Sequence, residues 1–222
     1  ANVHAQIVGD VNNDGIDDLL VGMKNERGPS QEAMAIIFGS PDLGVSGYLS
    51  DLRSFPGAQR GFLIENVIGG VNARAGDLNG DGIDDFFVRS ASDPDEHHIL
   101  FGRQDWSDAN YQAITDIENR LKIFSNGHSL GPAGDFNGDG IYDILVVKEG
   151  EQENRARVIP GRQSFSESKE ISLSRLEFQF FVDRPFGTIE WMGDFQGDGF
   201  DDLLLVDRNG VWIASGRELT AT

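Results

Sequence analysis

Short apolar runs separated by polar, glycine-rich turns recur along the chain, and none exceeds about eight residues. Four segments share one order of elements. A short run (4–8, 71–75, 129–133 and 188–192) leads into an acidic loop. An apolar run follows (19–21, 86–88, 144–147 and 203–206). A third run comes after a turn (33–38, 97–101, 155–159 and 210–214). Each third run is closed by a glycine, at Gly39, Gly102, Gly161 and Gly216. A fourth run appears three times, at 61–67, 120–124 and 176–182. No run holds a 3.6-residue apolar period, and length with β-branched and aromatic content predicts strands. The polar stretches 41–60, 103–119 and 162–175 read as loops or single helical turns.

The acidic loops are copies of one another: GDVNNDGIDDLLVG at 9–22, GDLNGDGIDDFFVR at 76–89, GDFNGDGIYDILVV at 134–147 and GDFQGDGFDDLLLV at 193–206. Their starts lie 67, 58 and 59 residues apart, and repetition at such a period marks a propeller, solenoid or array. Four strands in roughly 60 residues describe one propeller blade. The reading is therefore all-β, a β-propeller built of four-stranded antiparallel blades. The approximate blades are 1–67, 68–126, 127–183 and 184–222 of a single domain, the last lacking its outermost strand. That leaves a partial propeller, a small ring, or half of an assembly.

Charge sharpens this picture. The 222 residues hold 37 acidic and 18 basic side chains, a net charge of -19, and fifteen of the acids sit in the four loops. The acidic surplus argues against nucleic acid, because phosphate binding needs clustered Lys and Arg. No stretch is long and apolar enough to predict a membrane-spanning helix, and no leader pattern opens at Ala1. Cysteine is absent, which excludes disulfides, thiolate zinc sites and a cysteine nucleophile. Like charges packed this closely repel unless a cation compensates.

Within each loop the spacing is D-x-[NQ]-x-D-G-x-x-D, with Asp10 at position 1 of the first copy. Alternate oxygen donors on a curled loop converge on a point, and the glycine at position 6 permits the turn. Side chains at positions 1, 3, 5 and 9 and the carbonyl at position 7 suit Ca²⁺, which takes six to eight oxygens at about 2.3–2.6 Å. Mg²⁺ keeps its own waters, and Zn²⁺ lacks nitrogen and sulfur donors here. An EF-hand needs a bidentate Glu at position 12 and flanking helices; position 12 is Val21, Val88, Val146 and Leu205. The same ground rejects a dockerin loop.

These loops, together with Phe38-Gly39, Phe101-Gly102 and the connection LSDLRSFPGAQRGFLI at 49–64, resemble the FG-GAP repeat of integrin α-subunit heads and their bacterial relatives. The resemblance implies that each loop joins the two inner strands of a blade and holds one Ca²⁺, about four in all. Carried over residue by residue, the ligand sets are Asp10, Asn12, Asp14, Ile16 and Asp18; Asp77, Asn79, Asp81, Ile83 and Asp85; Asp135, Asn137, Asp139, Ile141 and Asp143; and Asp194, Gln196, Asp198, Phe200 and Asp202. Two departures stand out. Gln196 replaces the shorter amide, and Pro160-Gly161 and Ser215-Gly216 replace the Phe-Gly pair. A fourth acid lies alongside in three copies, at Asp17, Asp84 and Asp201.

The sequence holds no G-x-S-x-G elbow, no H-E-x-x-H and no phosphate loop. His97-His98 would point to opposite sheet faces, one solvent-side and one core-side. Trp191 and Trp212 fall in strands and read as core, whereas Trp106 falls in a loop and is the better candidate for stacking on a sugar. The favoured expectation is a non-enzymatic, calcium-stabilised, extracellular or surface-displayed module for protein interaction or adhesion. Self-association could complete its ring. The alternatives are a lectin binding glycans between blades and an accessory domain of a secreted enzyme.

Overall fold

The computed structural model describes residues 4–23, 33–41, 60–68, 73–107, 112–148, 155–173, 180–182 and 186–216. Nearly all of their regular structure is strand, in four mainly antiparallel sheets. The first sheet is a meander of β1 (His4–Gly9), β2 (Asp18–Met23), β3 (Ala33–Ile37) and β4 (Gly61–Glu65). In the second, β5 (Val67–Ile68) and β6 (Arg74–Gly76) share one edge of β7 (Asp85–Ser90), which pairs with β8 (Glu96–Leu100). The chain then returns to the first sheet as β9 (Gln112–Ala113), parallel to β4, before β10 (Arg120–Phe124) pairs with β8.

The third sheet holds β11 (His128–Gly134), β12 (Asp143–Lys148) and β13 (Arg155–Ile159). After the short helix α1 (Ser164–Glu167), β14 (Glu170–Ser172) reaches back to lie parallel to β10, and β15 (Phe180–Val182) then joins β13. The fourth sheet is β16 (Thr188–Gly193), β17 (Asp202–Asp207) and β18 (Gly210–Ala214). The strand order read from the sequence holds in every sheet. The edge strands β9 and β14 lie in stretches read as loops or helical turns. Each staples one sheet to the next. Val67 pairs with Ser90, so the chain crosses into the second sheet at Asn66, which takes a left-handed turn at φ 61°. Residues 49–59 of the connection cited above, and 176–179 of the last fourth run, lie outside the described residues.

Three cores separate the four sheets. Leu20, Ile36 and Phe62 meet Phe86, Val88 and Leu100 in the first. Phe87, Ile99 and Leu121 meet Ile144, Val146 and Ile159 in the second. Leu145 and Val158 meet Leu203 and Leu205 in the third. The middle sheets are thus covered on both faces, which is why β7 and β12 each bury four residues in a row instead of alternating. In the fourth sheet, β18 alternates between exposed and half-buried positions.

Trp106 corrects the sequence reading. It is 2% exposed, stacks on Phe62 at 4.7 Å between ring centroids, and donates its indole N–H to the Val11 carbonyl at 3.0 Å. Its loop folds over the first core, where a large ring with one satisfied N–H is stable. Trp191 and Trp212 pack, partly buried, against the third core. His98 is buried and bonded to Glu96 at 2.9 Å, and Lys122 lies 3.2 Å from the same carboxylate. Burial and the nearby Arg120 charge push His98 down to about 4. Burial and Arg89 push His97, on the opposite face, down to about 4 as well.

Candidate metal centre

The four acidic loops all leave the sheets at one place: the turn between the first and second strands of each repeat. The same irregularity precedes every loop, a bulge between Ile7 and Gly9, Arg74 and Gly76, Pro132 and Gly134, and Trp191 and Gly193. The extra residue bends the strand and aims the loop.

Inside the loop, position 1 organises the turn. Asp10 accepts the N–H of Asp14 at 3.0 Å and of Gly15 at 2.7 Å. Asp77 accepts from Gly80, Asp81 and Gly82 at 2.7, 3.0 and 2.7 Å. Asp135 accepts from Asp139 and Gly140, and Asp194 from Gly197, Asp198 and Gly199. Position 5 caps the residue two further on: Asp14, Asp81 and Asp139 each accept the position-7 N–H at 2.9 Å. The equivalent bond from Phe200 to Asp198 is 3.2 Å.

Position 3 separates the fourth loop from the rest. Asn12, Asn79 and Asn137 each accept the position-5 N–H through Oδ1 and donate Nδ2 to the position-5 carboxylate at 3.0 Å. Gln196 instead donates Nε2 to Asp202 at 3.4 Å.

Position 9 has a role that spacing alone did not reveal. Asp18, Asp85, Asp143 and Asp202 are buried, and each carboxylate ties the start of its own loop to the glycine that follows the third strand, through backbone donors. Asp18 accepts from Val11 at 2.9 Å and Gly39 at 2.8 Å, and Asp85 from Leu78 at 2.8 Å and Gly102 at 2.9 Å. Asp143 accepts from Phe136, Asn137 and Gly161, and Asp202 from Phe195, Gln196 and Gly216. This explains why the glycine survives in all four copies while the phenylalanine does not. A Cβ at Gly102 or Gly161 would strike the backbone carbonyl of Asp84 or Tyr142.

Burial, reinforced by the position-5 and position-1 carboxylates, raises Asp18 to about 6 and Asp143 to about 7, against the pull of the backbone N–H groups. The same causes push Asp85 well above the ordinary range. Asp135 is raised by its own burial. These electrostatic penalties mark the places where a cation would be worth most.

Position 8 faces the neighbouring repeat. The N–H groups of Asp84, Tyr142 and Asp201 donate to the carbonyls of Asp10, Asp77 and Asp135 at 3.3, 2.9 and 3.0 Å. The Asp84 and Asp201 carboxylates accept the N–H of Asp10 and Asp135 in return, at 3.1 and 2.9 Å. Asp201 also accepts the Trp191 indole at 3.0 Å. The Asp-Asp pair repeated at positions 8 and 9 was the visible signal of two separate duties.

Among the described residues no group of three or more His, Cys, Asp or Glu side chains is gathered as a metal cluster. The position-1 and position-5 carboxylates accept N–H groups within each loop, joined by the amide in the first three, while position 9 turns mainly to backbone donors. The donor chemistry nonetheless fits a hard cation. In three loops the asparagine amide donates an N–H to the position-5 carboxylate. Turning that amide presents its oxygen instead. The chain matches no protein-family model and no curated protein.

Proposed function

We propose that the chain is a calcium-stabilised binding module built from propeller-type blades of the FG-GAP kind, non-enzymatic and working outside the cell. The observation that carries this reading is the fourfold recurrence of one oxygen-rich loop at the same turn of successive stacked sheets. A bound Ca²⁺ would neutralise carboxylates that the fold otherwise holds together at a cost. The ligands would be Asp10, Asn12, Asp14, Asp18 and the Ile16 carbonyl, with their counterparts in the other three loops. Four ions would bring the net charge from -19 to -11. Millimolar calcium outside cells fills loop sites of modest affinity, which favours secretion or surface display. Protein adhesion is the preferred use. The lectin alternative loses its best aromatic because Trp106 is buried.

Equilibrium dialysis of chelator-stripped protein against calcium tests the reading. It should retain about four ions per chain, in line with one site per loop; no retained calcium at millimolar concentration would overturn it. The fourth site should be the weakest, because the longer Gln196 side chain reaches past Asp198 to Asp202. Gln196→Asn should therefore tighten it by about tenfold in a calcium titration. An unchanged affinity would count against that assignment.

A further inference from the structure

We infer that the cleft between the second and third sheets, at its end away from the acidic loops, is a binding site for an oxyanion group, a carboxylate or a sulfate or phosphate. Strand register places the donors. Across the second core, Phe87, Ile99 and Ile123 face Ile144, Val146 and Ile159. One pleat further along the same face come Arg89, paired directly with His97, and Ser125, which extends the ladder by donating its N–H to the Asp95 carbonyl at 2.8 Å. Directly opposed residues lie about 5 Å apart at Cβ and diagonal ones about 7–8 Å, so the three side chains can meet on one ligand. The facing sheet adds His128 and Lys148, one pleat beyond Leu130 and Val146, and Arg157 and Arg155, which pair with Val146 and Lys148. A chain of net charge -19 thus gathers its cations into one cleft, four residues along β7 and five along β12 from the buried carboxylates Asp85 and Asp143.

The donors there are under-used. Ser125 is 1% exposed, and among the described residues its hydroxyl has no hydrogen-bond partner; the buried Nε of Arg89 has none either. Such groups are unfavourable inside a fold, and an acceptor brought by a ligand removes the cost. Asp95 acts on His97, but it is exposed and its carboxylate accepts the Gly127 N–H at 2.8 Å. His128 turns Nδ1 to the Ser125 carbonyl at 2.7 Å, which holds its ring beside that residue. Arg89, His97 and His128 are half-buried, and Lys148 and Arg155 are exposed, so the cleft can be entered from solvent.

Packing between sheets does not require polar residues at this level. By register, the pair equivalent to Arg89 and His97 in the third sheet is Val147 and Ala156, and both pack on the third core. A guanidinium, a hydroxyl and an imidazole suit one anionic group, because hydrogen bonds to an ionised acceptor are the strong ones. Lys148 and Arg155 at the mouth would draw the anion in. The site uses none of the acidic loops and goes beyond the calcium reading.

NMR of the histidine rings in the purified 222-residue chain, kept in chelator at pH 6.5, tests the inference. Sodium sulfate and, separately, sodium acetate replace sodium chloride at a constant ionic strength of about 0.15 M, so that screening does not change. The His97 signal is identified by its loss in His97→Gln. Sulfate, acetate or both should move it saturably. Acetate alone would assign the site to a carboxylate, and sulfate alone to a sulfate or phosphate group. Arg89→Gln and Ser125→Ala should each weaken binding by about tenfold or more, the loss of one hydrogen bond to a charged group. Ser125→Ala should nonetheless melt no lower than the parent, because the hydroxyl it removes is unpaired. A fall in its melting temperature with binding intact would overturn the inference by making Ser125 a structural residue. So would the absence of a saturable shift with either anion, or affinities unchanged in both variants.

Discussion

Replacing Asp143 with alanine should destabilise the protein by about 2–5 kcal/mol even in the presence of chelator. The substitution strips acceptors from three N–H groups, at 3.0 Å on Phe136, 3.2 Å on Asn137 and 2.9 Å on Gly161. Each buried donor left unpaired costs about 1–3 kcal/mol. Part of that loss is refunded, because the buried carboxylate is itself held ionised at a cost. The refund gives the effect a pH signature. Asp143 titrates near 7 in the folded chain and near 3.8 when unfolded. Its folded form therefore binds the proton first, and the parent gains stability from this group as pH falls from 7 towards 4. The variant lacks that gain, so the penalty should be larger at pH 5 than at pH 8 in urea denaturation. Asp139→Asn is the control. Asp139 is exposed and its carboxylate caps the Ile141 N–H and the Asn137 amide. Without calcium its loss should cost no more than about 0.5 kcal/mol, the usual size of a surface change. Equal losses from both variants, or none from Asp143→Ala, would refute the tie between loop and glycine.

Calcium should raise the melting temperature by about 20 °C or more over the chelated protein. A ligand that binds only the native state contributes about 2.7 kcal/mol per site at a hundredfold excess over Kd. For a domain of this size each kcal/mol is worth about 2–4 °C. The increment should shrink as pH falls through 7 to 6, because protons compete with calcium for Asp143 and Asp18. In the same window the calcium-free chain gains stability from those carboxylates, so the two melting curves converge. His97 and His98 act in the other direction. Their folded values near 4 lie below the ordinary 6.5, so stability is lost as pH falls between those limits. That loss is common to both forms and cancels in the difference. Identical melts with calcium and with chelator at pH 8 would remove the structural role assigned to the ion.

The strands were legible because apolar runs of five or six residues alternate with fixed turn signals, and four copies enforce one register. Antiparallel order within each sheet followed from the tight connections. The edge strands β9 and β14 were not legible, since their two or three paired residues owe their conformation to a neighbouring sheet edge and carry no apolar alternation of their own. Trp106 was misplaced for a related reason. A polar loop can still fold over a core, and only the positions of Phe62 and Val11 show that it does. At the candidate site, donor spacing singled out the position-1 and position-5 carboxylates, which accept N–H groups within each loop. It did not distinguish a carboxylate facing the loop interior from one tying the loop to the glycine after the third strand. Asp85 and Asp84 are adjacent in sequence. The first bonds to its own sheet and the second to the preceding loop, a division set by strand pleating and sheet stacking.

A crystal structure from a calcium-rich solution at neutral pH tests the central claim most directly. Anomalous density for one ion should lie in each of the four loops, with oxygens from positions 1, 3, 5, 7 and 9 around it. Loops without an ion, their position-9 carboxylates still bonded to N–H groups of the chain alone, would contradict it.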